Sequence, residues 1–178
     1  IWEDSVEVFE VSDAHSKWFS GILQMPCKLV FFPDDKPRPV DTDYAWNNDQ
    51  VSLADAYPML IIGQSSLHDL NSRLQTPVPM NRFRPNIVFE GGKAFEEDDW
   101  KRFTISDAWF AGVKPCARCV LTTVDQETGE KGVEPLATLS TFRKRGNKVL
   151  FGQNVLPISH GYFISIGDEI MVTSHSIK

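Results

Sequence analysis

Short apolar runs separated by glycine constrain this chain more than any other feature. Phe103, Ile105, Ala108 and Phe110 fall on either side of Ser106-Asp107, and the runs Lys148 to Phe151, Leu156 to Ile158, Tyr162 to Ile166 and Glu169 to Val172 follow with glycines between them. Runs this short, rich in β-branched and aromatic residues, read as strands, and the glycines read as turns. Many short strands with few helices bury their apolar faces by curling or closing. The expected fold class is therefore α+β, mainly β: a β-barrel or strongly curved sheet with a few peripheral helices. A length of 178 residues suits one sizeable core, so one domain over 1–178 is expected.

The earlier part of the chain supplies the remaining elements. Val6, Val8 and Val11 alternate with acids as a strand would, and Asp13 is placed to cap a helix whose Trp18, Phe19, Ile22 and Leu23 form a core face. Lys28 to Phe32 reads as a strand, 33–50 as a long loop, Val51 to Pro58 as a further loop, and Met59 to Ile62 as a buried strand. Ser65 or Ser66 is placed to cap a helix with Leu67, Leu70 and Leu74 on one face. Ile87 to Phe89 reads as another strand, and Glu96 to Asp99 as a solvated acidic face. Pro135 opens a helix through Leu136, Leu139 and Phe142, with Arg143, Lys144 and Arg145 in its last turn before Gly146.

Charge narrows the function. Lys plus Arg total 18 against 24 for Asp plus Glu, a net charge of -6, which disfavours a nucleic-acid backbone as partner. Three cysteines make no disulfide framework and fit a reducing compartment, so a cytoplasmic location is expected. No apolar run is long enough for a membrane segment. The first residue is Ile1 rather than methionine, which is expected of a domain taken from something longer.

Lys114-Pro115-Cys116-Ala117-Arg118-Cys119 puts two thiols and two cations at the head of the run Val120-Leu121-Thr122-Thr123-Val124. Positive charge beside a thiol favours the thiolate, which is both nucleophile and metal ligand. Half a zinc site, a dithiol redox pair, one metal-binding thiolate with a bystander, and two structural thiols all remain open. Zinc would need further ligands, and Cys27, His15, His68, His160 and His175 are scattered. A redox pair prefers to open a helix after a strand, whereas the β-branched run reads as a strand. Elsewhere, Pro85 biases Arg84 toward extended backbone, from which a guanidinium can reach phosphate, and Asn86 suits the amide edge of a heterocycle. An ion pair of Arg84 with Glu90 is the alternative, and Asp55 alone reads as a turn carboxylate.

The cysteine segment comes after Asn81-Arg82-Phe83-Arg84-Pro85-Asn86-Ile87-Val88 and before Glu134-Pro135-Leu136-Ala137-Thr138-Leu139 and Phe151-Gly152-Gln153-Asn154. These four motifs, in this order within a stretch from about Val6 to Val172, closely resemble the MOSC domain, named after the C-terminal domain of molybdenum cofactor sulfurases. The resemblance is strongest to the branch containing the mitochondrial amidoxime-reducing component and its bacterial relatives. It implies a molybdenum cofactor, with Cys119 as metal ligand and catalytic residue and Cys116 as bystander. It also implies that Asp55, Arg84, Asn86, Ala117 and Arg118 contact the cofactor. The implied reaction removes oxygen from a small N-hydroxylated substrate, two electrons and two protons releasing it as water. A two-iron cluster takes four cysteines, so the electrons are expected from a separate redox protein or domain. Ala117 stands where the family often has serine, and the family's upstream His-Pro-x-Lys-Ser stretch and further arginine have no match. A non-catalytic carrier of cofactor or sulfur is the alternative, and a scaffold without metal is a third possibility.

Overall fold

Ser12 lies in extended backbone, and its hydroxyl oxygen accepts from the N–H of His15 (3.2 Å), so Ser12 rather than Asp13 caps helix α1, Asp13–Leu23. The computed structural model describes residues 1, 4–45 and 49–175. Contacts gather into two compact units, Ile1–Ala56 and Tyr57–Lys178.

In the first unit α1 lies beside a two-stranded antiparallel ribbon, β1 (Phe9–Glu10) and β2 (Val30–Phe31), shorter than the strands expected there. The inward face of α1 is polar. The Ser16 hydroxyl donates to Glu10 (2.7 Å) and accepts from the Leu29 N–H (3.2 Å), while the Ser20 hydroxyl accepts from the Cys27 N–H (3.0 Å). Those serines are four residues apart and so share a face, which turns Trp18 and Ile22 outward. The expected core face is therefore exposed, Trp18 by 60%. Arg38, 4% exposed, pairs with Asp4 and donates to the carbonyls of Ser52, Ala54 and Asp55, gathering that loop around one guanidinium.

The second unit is a curled half-barrel. Its sheet runs β4-β3-β8-β6-β5-β9, with β7 also on β8. The strands are β3 (Met59–Gly63), β4 (Ile87–Phe89), β5 (Trp100–Ile105), β6 (Ala108–Ala117), β7 (Lys144–Arg145), β8 (Lys148–Pro157) and β9 (Ile170–His175). Among the described residues only β3 and β4 pair in parallel, and β3 is buried on both faces. Leu60 and Ile62 pack with Leu67, Leu70, Phe83, Leu139 and Phe151 under helices α2 (Gln64–Ser72) and α3 (Leu136–Phe142). Ile61 points the other way, into the core of Phe89, Trp100, Phe103 and Phe110. Irregularities in β6 after Gly112 and Pro115 help bend the sheet, and Gly112 is required because a Cβ there would sit 2.0 Å from the Trp100 carbonyl oxygen. The chain, with three helices among the described residues, has the expected class: strand-rich and strongly curved.

Several local expectations fail for identifiable reasons. Gly63, not Ser65 or Ser66, stands at the N-cap of α2, because the Ser66 hydroxyl is held by Glu97, 2.8 and 2.9 Å from its two oxygens. The Glu96–Asp99 run is a 3-10 turn rather than a solvated face, with Glu97 fully buried. Arg143 leaves α3 to pair with Asp98 (2.5 Å), and Lys144–Arg145 forms β7 instead of a last helical turn. Lys148 to Phe151 and Leu156 to Ile158 belong to one strand, β8, apart from Ile158, because Gly152 continues the strand at φ 79° instead of turning it. Tyr162 to Ile166 is not a strand, and Phe163 is 94% exposed.

Candidate functional site

Strand β6 delivers the cysteine segment to one corner of the second unit. Cys116 lies in the strand and packs against the Phe83-Phe151 core, and Cys119 follows it as an exposed free thiol. The run after it is a 3-10 turn, Val120–Thr123, and not the expected strand. The threonines decide this, since the hydroxyls of Thr122 and Thr123 donate to the carbonyls of Cys119 (3.0 Å) and Val120 (2.8 Å). The strand reading had weighed against a dithiol pair, so that objection lapses.

Arg118 joins this segment to the loop before β4. Its backbone N–H donates to Val149 (2.7 Å), one terminal nitrogen donates to the Cys116 sulfur (3.2 Å), and the other to the Phe83 carbonyl (2.7 Å). Its guanidinium also lies 5.6 Å from the Phe83 ring centroid. Phe83 closes the 3-10 turn Met80–Phe83, and Arg84 caps that turn in the left-handed region (φ 54°, ψ 47°) with its N–H on Asn81. The extended backbone expected for Arg84 is thus overturned. Arg84 is exposed and forms no ion pair among the described residues, with Glu90 or any other acid.

Arg82, which the sequence reading passed over, does pair. It reaches Asp125 (2.9 Å) and so ties the two 3-10 turns together. Backbone N–H groups of Thr128 and Glu127, with Arg82 adding to them, hold the Asp125 carboxyl below the usual range. The only sequence signal for this division of labour was two arginines flanking one phenylalanine. Asn86 holds the start of β4, its side-chain oxygen accepting from the Leu60 N–H (2.9 Å) and its own N–H donating to the Leu60 carbonyl (2.9 Å). Arg84 is therefore presented between two fixed points, Phe83 and Asn86.

The loop and the cysteine segment thus bring Arg84, Asn86, Ala117, Arg118 and Cys119 onto adjoining elements. Ala117 is exposed at the end of β6. Asp55 belongs to the first unit, where its carboxylate is exposed and its carbonyl accepts from Arg38 (3.1 Å). Among the described residues no three His, Cys, Asp or Glu side chains form a group that could hold a metal ion.

A second polar centre adjoins the same core, against which Phe95 and Leu67 pack. Besides Ser66, Glu97 accepts from the Gly63 N–H (3.2 Å). Burial raises its carboxyl above the usual range, and those hydrogen bonds oppose the shift. Burial likewise raises Asp98, against the pull of Arg143.

The MOSC domain family matches residues 48–171. Mitochondrial amidoxime-reducing component 1 of Mus musculus is 40% identical over 169 residues, 87% of this chain and 49% of that protein. Its Homo sapiens counterpart is 36% identical over 178 residues, 93% of this chain and 52% of that one. Molybdenum cofactor sulfurase of Oryza sativa subsp. japonica is 34% identical over 169 residues, 85% of this chain and 20% of that protein. Among solved structures, YiiM from Geobacillus stearothermophilus aligns at a TM-score of 0.41 and 12% identity, covering 67% of this chain and 52% of that one. The chain spans about half the length of the amidoxime-reducing relatives it matches. No helix among the described residues is long and apolar enough to cross a membrane. The chain belongs to the MOSC domain family.

Proposed function

We propose that this chain holds a molybdenum-pterin cofactor for an oxidoreductase acting on small N-hydroxylated compounds, with electrons from a separate redox partner. The observation that carries this reading is that two segments joined by the Arg118–Phe83 hydrogen bond carry an exposed free thiol, Cys119, and a guanidinium, Arg84, that is fixed at its backbone and has no counter-ion among the described residues.

The donor set fits the cofactor. One protein thiolate is too few for a bare metal, but it suits a metal that brings a pterin dithiolene with it, since soft sulfur ligands favour such metals. Cys119 supplies that thiolate. Arg84 offers its planar fork to the anionic phosphate, and the Asn86 amide nitrogen is available to a heterocycle edge while its oxygen holds Leu60. Ala117 contributes backbone only. Arg118 positions the site, because both its terminal nitrogens are spent on Cys116 and Phe83. Asp55 is proposed as a further contact on the family resemblance. When bound, the cofactor supplies two-electron chemistry at a metal, and the chain fixes its orientation.

Turnover of an N-hydroxylated amidine with an artificial electron donor tests the reading on cofactor-loaded protein. Reduction that is lost in Cys119→Ala and kept in Cys116→Ala supports it. Loaded protein without turnover would instead establish the carrier alternative.

A further inference from the structure

The half-barrel does not close. Strand β4 pairs only with β3 and β9 only with β5 among the described residues, so each keeps an outer edge without a strand partner. Both edges border one cleft of about 870 Å³. Phe89, Trp100, Ile105 and Val172 give it apolar walls, and exposed Ile164 and Ile166 flank it. Its lining also carries Glu90, Glu96, Asp168 and Glu169 and, among the described residues, neither lysine nor arginine. None of these four acids forms an ion pair among the described residues.

Two features select the occupant. Free strand edges present alternating N–H and C=O groups, which another extended backbone matches at its own spacing. Four carboxylates without counter-ions repel anions and favour cationic side chains. The six residues of β9 span about 20 Å at strand rise, the reach of a short peptide. We infer that the cleft takes an extended peptide segment bearing lysine or arginine as an added strand between β4 and β9, its apolar side chains on Phe89 and Val172 and its cations on the four acids.

The test uses the 178-residue chain and three synthetic seven-residue probes: alternating lysine and valine, alternating glutamate and valine, and the lysine peptide with a central proline. Binding is followed by fluorescence anisotropy of labelled peptide, and backbone amide exchange is read at 87–89 and 170–175. The lysine-valine peptide is expected to slow exchange at both edges about tenfold, and the other two to leave it unchanged. Glu90→Lys with Glu169→Lys, both at exposed positions, is expected to weaken binding about tenfold without changing the thermal midpoint. Equal binding of the proline peptide would reduce the cleft to a nonspecific polycation surface and overturn the proposal. So would protection that is absent, or insensitive to the double charge reversal.

Discussion

At the Glu97 corner of the second unit a carboxylate with no exposure is met by the Ser66 hydroxyl and the Gly63 N–H, whereas at the Cys119 corner a thiol and a guanidinium stand exposed. Both corners flank the same Phe83-Phe151 core, and both carry charged residues in short 3-10 turns. The difference lies in what satisfies the polar groups. Glu97 and Asp98 find partners within the chain, so their corner is part of the folded core. Arg82 and Arg118 are likewise consumed internally, and what they hold in place is a pair of groups, Arg84 and Cys119, left facing outward. Chemistry is expected at the corner whose polar groups are presented, and stability at the corner whose polar groups are spent.

The largest expected effect tests the stability half of that contrast. Glu97→Ala strips the partner from the Ser66 hydroxyl and the Gly63 N–H in a buried place, and is expected to cost about 3 kcal/mol in urea unfolding. A loss below about 0.5 kcal/mol would mean that the corner is not held by this carboxylate. Arg143→Ala comes next. It leaves Asp98 without its ion-pair partner in a mostly buried site, and about 2 kcal/mol is expected, measured in the same way.

The pH dependence sharpens the contrast further. Burial places the folded-state value of Glu97 above its ordinary 4.5, so the native state binds the proton more tightly than the unfolded chain. Its contribution is most favourable below 4.5 and declines as pH rises through the raised value. Glu97→Gln should therefore flatten the fall in urea midpoint above pH 4.5 relative to the parent. Asp125 acts with the opposite sign. Its value lies below the ordinary 3.8, so its stabilisation is complete above 3.8 and is lost as pH falls through the lowered value. Asp125→Asn should remove that acid-side loss.

The smallest expected effects fall at the other corner. Cys119→Ala and Arg84→Ala change exposed side chains whose atoms hold nothing together, so each is expected to shift unfolding free energy by less than about 0.5 kcal/mol. A loss of 2 kcal/mol from either would place that residue with Glu97, in the structural group.

Much of the fold was legible in the sequence. The Leu67-Leu70 face of α2 and the β5-β6 hairpin follow from periods of 3.6 and 2, and strand β3 from a short continuous apolar run, because those signals depend on near neighbours. Burial of a charge is different. The partner of Glu97 is Ser66, 31 residues away, and no local pattern announces it. The same holds for α1, whose apolar side is outward because two serines take the inward face. At the candidate site the motifs brought the right segments forward, but not how they are joined. The link from Arg118 to Phe83 spans 35 residues, and the left-handed turn at Arg84 arises from the 3-10 turn before it. Residue types were readable there, and the division between anchoring and presented arginines was not.

The proposed role of Cys119 is that of the one protein ligand of a molybdenum cofactor. It is tested most directly by molybdenum and zinc content per chain for the parent, Cys119→Ala and Cys116→Ala, all expressed where the cofactor is made. Molybdenum close to one per chain in the parent and in Cys116→Ala, and absent from Cys119→Ala, is the predicted result. Zinc in its place, or molybdenum unchanged in Cys119→Ala, would contradict the assignment.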